Sequence, residues 1–151
     1  MGIITTYKFG DIEVNRNRVI HFPDGIIGFD HLKDYVMLHD EEKKNSGVHY
    51  LQSVDDNEVA FVLIDPNTVV DEYKPEIDSA AVDKIGNLTD ENITVFVTLI
   101  IPEDITKMSV NLKAPIIINS ETLIGAQVLT KNDYAIKTPV YEYLKEKGAV
   151  K

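Results

Sequence analysis

The chain contains no cysteine. That excludes a disulfide framework, thiolate catalysis and a cysteine-based zinc site. No apolar run approaches the roughly 20 residues that span a bilayer, and no basic-then-apolar leader opens the sequence. A cytoplasmic protein with no membrane partner is therefore expected. The opening Met1-Gly2-Ile3-Ile4-Thr5-Thr6 fits the N-myristoylation pattern. Residues 3–9 carry β-branched and aromatic side chains, however, and a strand accounts for them better.

Catalytic signatures are also missing. There is no GxSxG, Walker loop or GxGxxG. The four histidines, His21, His31, His39 and His49, all fall in the first third, but their spacing matches no metal-ligand pattern. Asp55-Asp56-Asn57-Glu58 lacks the glycine and the distant glutamate of a calcium loop. In so acidic a chain, pairs of carboxylates can be chosen almost anywhere and carry little information. The glycosylation patterns at Asn87 and Asn92 have no meaning in a cytoplasmic protein. No catalytic residue, cofactor or metal is expected, and no enzyme.

Basic residues are scarce, with 15 Lys and Arg against 25 Asp and Glu and a formal net charge of −10. The excess is concentrated. Residues 54–91 hold eleven acids against Lys74 and Lys84, a net of −9; the remainder holds 14 acids and 13 bases, a net of −1. Phosphate contacts need clustered Lys and Arg, so direct nucleic-acid binding is not expected. An acidic surface instead speeds encounter with a basic partner. The plain alternative is that these acids are solvated loops and a helix face that keep the protein soluble.

What is present is an ordinary globular mixture of 151 residues, 44% hydrophobic and 26% charged. One domain over residues 1–151 is expected, with 140–151 as a variable tail, burying roughly 70% of the unfolded surface. The stretch Phe22-Pro-Asp-Gly-Ile-Ile-Gly-Phe29 follows a short strand at 19–22 and reads as a rigid corner. Pro23 fixes one backbone angle, Asp24 bonds its own backbone and Gly25 supplies a positive φ. Ile26 and Ile27 re-enter apolar surroundings, Gly28 lets two backbones approach, and Phe29 anchors the return.

Strand signals dominate the rest. A hairpin is expected from 3–9 and 12–14 across Gly10-Asp11, and one helical turn at 30–34. Strands are expected at 35–38, 48–53 and 59–64, the last two joined by Asp55-Asp56-Asn57, with a loop at 41–47. Asp65-Pro66 ends that hairpin. Residues 78–85 read as a short amphipathic helix capped by Asp78 or Ser79 and ended by Gly86. Further strands are expected at 93–101, 108–112, 115–119 and 124–129, with Gly125 a candidate bulge. A terminal helix is expected over 140–147, with 148–151 fraying. The fold class is mainly β: a single small β-barrel-like domain with one or two short helices.

Several segments together resemble the FliW family of bacterial flagellar assembly factors. They are the corner at 22–29, Tyr50-Leu-Gln-Ser-Val-Asp55, Ala60-Phe-Val-Leu-Ile-Asp-Pro66, Thr98-Leu-Ile-Ile-Pro102, Asn111-Leu-Lys-Ala-Pro-Ile-Ile-Ile-Asn119 and Gly125-Ala-Gln-Val128. Their order and spacing cover about residues 3–140. Two positions depart from the pattern: Ile27 stands where relatives carry small residues or Pro, and Asp65 where Asn is common. The resemblance implies a non-enzymatic regulator of translation with a barrel-like fold, monomeric when alone. Proteins of this family bind CsrA, a small dimeric RNA-binding repressor of flagellin mRNA, and also bind flagellin itself. Flagellin export thereby frees the factor to capture the repressor.

With such a partner, Asp55, Asp56, Glu58, Asp71, Glu72, Glu76 and Asp78 are the expected CsrA-facing surface. Phe22, Pro23, Gly25, Gly28 and Phe29 are expected to be structural. Two rivals are a regulator that binds mRNA directly, which the acidic balance opposes, and a small barrel enzyme or small-molecule binder, which needs convergent polar residues in a pocket.

Overall fold

The computed structural model describes residues 2–6, 9–38 and 47–146. The β-branched runs become strands: β1 (Gly2–Thr6), β2 (Gly10–Val14), β3 (Ile20–His21), β4 (Asp34–Leu38), β5 (Val48–Ser53) and β6 (Ala60–Ile64). The second half supplies β7 (Ile93–Ile100), β8 (Ser109–Val110), β9 (Ile116–Asn119), β10 (Ile124–Gln127) and β11 (Thr138–Pro139). One short α-helix, α1 (Tyr141–Glu146), follows.

Pairing in the order β3-β4-β5-β6-β7-β9-β10 returns to β3 and closes a seven-stranded barrel. Every pairing in it is antiparallel except the seam, where Ile124 of β10 pairs with His21 of β3 in parallel. Closure removes the free edges that an open sheet of this size would present. β8 and β11 extend the β7 edge, and β1 and β2 form a separate hairpin.

Alternation along the strands divides the core in two. Tyr35, Leu51, Phe61, Leu63, Phe96, Ile116 and Ile118 point into the barrel with Phe22 and Ile26. Their neighbours Ile64, Val97, Leu99 and Ile117 point outward, and they too are buried. What covers them is α1, β8 and the 28-residue link between β6 and β7, residues 65–92, which wraps the outer wall. Val69 and Tyr73 of this wrap pack on Ile64 and Val97, and Val82 and Ile85 pack on Ile117.

Several expectations change in detail. The first hairpin forms, but Gly10 and Asp11 lie inside β2, paired with Thr6 and Thr5. The reversal instead passes Phe9, whose amide donates to the Thr6 hydroxyl and whose ring meets Tyr50 edge-to-face at 5.1 Å. Residues 30–34 make no helical turn. The Lys33 carbonyl accepts from Phe22 and that of Asp34 from Val54, so pairing takes the groups a helix would use. Gly125 is no bulge: it pairs in register with Ile118, and a Cβ there would lie 2.7 Å from the Phe22 ring. The strand expected at 108–112 shortens to Ser109–Val110, and β11 was not foreseen. The helix over 78–85 is a 3-10 helix, Ser79–Ile85, capped by Asp78. His39, most of the 41–47 loop and the fraying end lie outside the described residues.

The corner also differs in its parts. Gly25 closes a turn by donating to the Phe22 carbonyl at 2.9 Å. At φ +69° a Cβ on it would sit 2.6 Å from the Asp30 Cα, so the close backbone approach is here. Gly28, at φ +87°, faces open space and needs only its backbone freedom. Ile26 is 2% exposed, whereas Ile27, expected in apolar surroundings, is 60% exposed.

Candidate partner-binding surface

The seven acidic candidates occupy two places. Asp55, Asp56 and Glu58 sit on the turn between β5 and β6, at one end of the barrel. This turn is tightly built. The buried Ser53 hydroxyl accepts from the amides of Asp55 and Asp56 at 3.2 and 3.0 Å, and the Asp56 carboxylate accepts from the Glu58 amide at 3.1 Å. The Gln52 side-chain amide, 1% exposed, donates to the carbonyls of Ser53 and Val59 at 3.0 and 3.2 Å. The carbonyls of Asn57 and Asp56 stand at 3.4 and 3.5 Å from the same nitrogen. Gln52 and Ser53 thus fix the carboxylates in space. Both lie in a stretch that carries the family resemblance, yet no role for them was visible in the sequence.

Asp71, Glu72, Glu76 and Asp78 lie on the wrap, along the outer wall. The wrap has an apolar side and an acidic side. Val69, Tyr73 and Ile85 are buried beneath it, while all eight of its acids, Asp65 to Glu91, are exposed. Its two lysines are engaged, Lys74 with Glu72 at 2.8 Å and Lys84 with Asp24 of the corner at 2.9 Å. Fixed points hold it down. The Tyr73 hydroxyl donates to the Leu112 carbonyl at 2.6 Å, and the Glu76 carbonyl accepts from Lys131 at 2.8 Å. Asn119, 1% exposed, donates to the Ile85 carbonyl at 2.9 Å, and Thr122 donates to the same oxygen at 3.0 Å. The outward direction of the acids is therefore set by packing and by buried hydrogen bonds.

Beneath the turn, inside the barrel, Tyr35 is fully buried against Phe22 and Phe61. Burial, with the charge of Asp55 adding to it, pushes its phenol up to about 12. Its hydroxyl finds no hydrogen-bond partner among the described residues. Burial raises the Tyr73 phenol as well, with a smaller contribution from Tyr134.

A cleft of about 480 Å³ opens at the other barrel end, lined by His49, Asp65, Asn67, Thr68 and residues 93–96. Its carboxylate, Asp65, caps the 3-10 helix Pro66–Thr68 by accepting from the Asn67 amide at 2.9 Å. No group of three metal-ligating side chains occurs among the described residues. Among them, too, no helix is long and apolar enough to cross a membrane. His21 pairs across β3 and β4 with Asp34 at 2.7 Å, and His31 stacks on Phe29. The described histidines are thus dispersed.

Comparison with known proteins is uniform. Residues 3–140 match the family described as FliW protein. The flagellar assembly factor FliW of Lachnoclostridium phytofermentans is 42% identical, over 93% of this chain and 91% of that one. Those of Lachnospira eligens and Caldanaerobacter subterraneus subsp. tengcongensis are 38% and 41% identical, over 95% and 94% of this chain. A crystal structure of the flagellar assembly factor FliW superposes with a TM-score of 0.83 at 29% identity, covering 92% of this chain and 96% of that one.

Proposed function

From the premise that this chain belongs to the FliW family, we propose that it is a cytoplasmic flagellar assembly factor and a regulator of translation. It binds and antagonises the RNA-binding repressor CsrA, binds flagellin as an alternative partner, and so couples flagellin synthesis to export. It acts by contact, without catalysis. The observation that carries this is the arrangement of charge: acids on a rigid turn and on an apolar-backed wrap, exposed except for the half-buried Asp56, with both lysines of the wrap already engaged. Such a surface attracts a basic protein and repels RNA. Placed beside the repressor's RNA-binding face, it also repels phosphate at close approach, within a Debye length of about 8 Å at physiological salt.

Co-purification with CsrA and with flagellin, followed by competition between the two, tests the proposal. CsrA is expected to be retained, displaced by flagellin, and released from RNA when this protein is added. Retention of RNA by this protein alone in a gel-shift assay would instead make it a direct RNA binder. The cleft beside Asp65 offers one carboxylate occupied in capping and does not favour an enzyme.

A further inference from the structure

Strand direction sorts the loops by barrel end. β3, β5, β7 and β10 run toward one end, and β4, β6 and β9 start from it. That end gathers the corner after β3, the acidic turn after β5, the 101–115 connection after β7 and the chain leaving β10. Seven large apolar side chains are exposed among the described residues, and five of them lie here: Ile27, Ile100, Ile101, Ile105 and Leu129. Ile93 is at the opposite end and Ile136 lies beyond the barrel strands. Scattered exposed aliphatics need no explanation, but this segregation does.

Ile27 is held out in a fixed position. Its amide donates to the Gln127 side chain at 2.9 Å, and Gln127 in turn donates to the Ala114 carbonyl at 3.1 Å. The positive φ of Gly25 and Gly28 sets the corner on either side, and Ile26 is buried beneath. Leu129, 63% exposed, stands one side-chain position beyond Gln127, because Val128 and Thr130 continue the ladder to Pro115 and Lys113. A preorganised aliphatic knob on a barrel end that also carries carboxylates has the parts of an interface centre and its polar rim.

The rim is acidic. Asp30, Asp55, Glu58, Glu103 and Asp104 are exposed at this end. Of the lysines at this end, Lys84 is paired with Asp24, Lys33 donates to the Pro23 carbonyl and Lys113 to the Asn132 carbonyl, while Lys107 is exposed and outnumbered by the acids. A second copy of the chain would bring the same acidic rim and face like charge, so self-association through this end is disfavoured. We propose that this barrel end, centred on Ile27, is the contact surface for a basic segment with one apolar face, and that the wrap contributes long-range attraction. Only the identity of the partner, CsrA, rests on the function proposed above.

The test measures binding of two probes to the wild type, Ile27→Asp, Ile100→Asp and the triple variant Asp71→Lys, Glu72→Lys, Glu76→Lys. One probe is CsrA. The other is a synthetic Leu/Lys amphipathic helix, compared with a Ser/Lys peptide of equal charge. Both aspartate variants are expected to melt with the wild type, to weaken CsrA at least tenfold with no flattening of its salt dependence, and to abolish preference for the Leu/Lys peptide. Affinities within twofold of wild type for both probes would overturn the surface while leaving CsrA as a partner. No CsrA binding by the wild type would remove that partner, and the peptide comparison alone would then decide the surface. A concentration-dependent dimer in light scattering that Ile27→Asp abolishes would assign this end to self-association and overturn the proposal.

Discussion

At the scale of single residues, the corner discriminates between two glycines that look alike in sequence. Gly25→Ala must place a methyl against the Asp30 backbone and hold it at positive φ, whereas Gly28→Ala meets only the second demand. The first is expected to cost more than about 3 kcal/mol and the second about 1 kcal/mol in urea unfolding. Tyr35 supplies the pH dependence. Its folded phenol is raised from 10.0 to about 12. The folded state therefore keeps a proton that the unfolded state releases above pH 10, and the associated stability is present below that value and lost as pH rises toward 12. Tyr35→Phe is expected to remove about 2 kcal/mol of that alkaline loss in melts from pH 9 to 12. At pH 7 it should be neutral or stabilising, because it deletes a buried hydroxyl with no partner among the described residues. The raised Tyr73 leaves a residual slope in the variant.

At the scale of elements, the strands and a barrel-like closure were legible, and the seam that makes the closure was not. Runs such as Ile93–Ile100 declare themselves by β-branched content. The seam does not, because β3 is two residues long and meets β10 in parallel across about a hundred positions. Gly125 was misread for a related reason: a glycine in a strand signals a bulge and a close neighbour equally, and here the neighbour is the Phe22 ring. Residues 69–77 of the wrap resisted assignment because Val69, Tyr73 and Ile77 stand at helical spacing but Pro75 interrupts a helix; the stretch follows the barrel wall it covers. The wrap's anchor is testable. Asn119 accepts from the amides of Glu121 and Thr122 and donates to the Ile85 carbonyl. Asn119→Leu removes these bonds and leaves the Ile85 carbonyl only the Thr122 hydroxyl, and is expected to cost about 2 kcal/mol. Hydrogen exchange should quicken at residues 85–92 before it does in β5 and β6.

At the scale of the whole molecule, the acidic count was visible in the sequence, but its division between a barrel end and a side wall was not. The candidate residues fall into two groups because the chain leaves β6 at one end and the β5–β6 turn closes the other. Ile27 shows the same limit. Two adjacent isoleucines between glycines gave no sign that one would be buried and the other held in solvent. Reversal of Asp71, Glu72 and Glu76 to Lys is expected to slow CsrA association five- to tenfold and to flatten its salt dependence, with little change in dissociation. Stopped-flow measurements between 50 and 300 mM salt would check this against the approximate Debye lengths involved.

The parallel seam has a consequence for how the chain is made. β10 follows β3 by about a hundred positions, so until it is made the nascent polypeptide holds β3 without its second neighbour. A hundred positions separate Ile27 from the side chain that secures its amide. Contacts of such long range form late and slowly. Until β10 emerges, the nascent chain is an open sheet whose β3 and β9 edges are unpaired, vulnerable to association with its neighbours on the polysome. Its barrel end is complete only after β10 has emerged. A frameshift or truncation between residues 92 and 123 is thus expected to abolish the whole activity, although every acidic residue of the 54–91 segment has been translated.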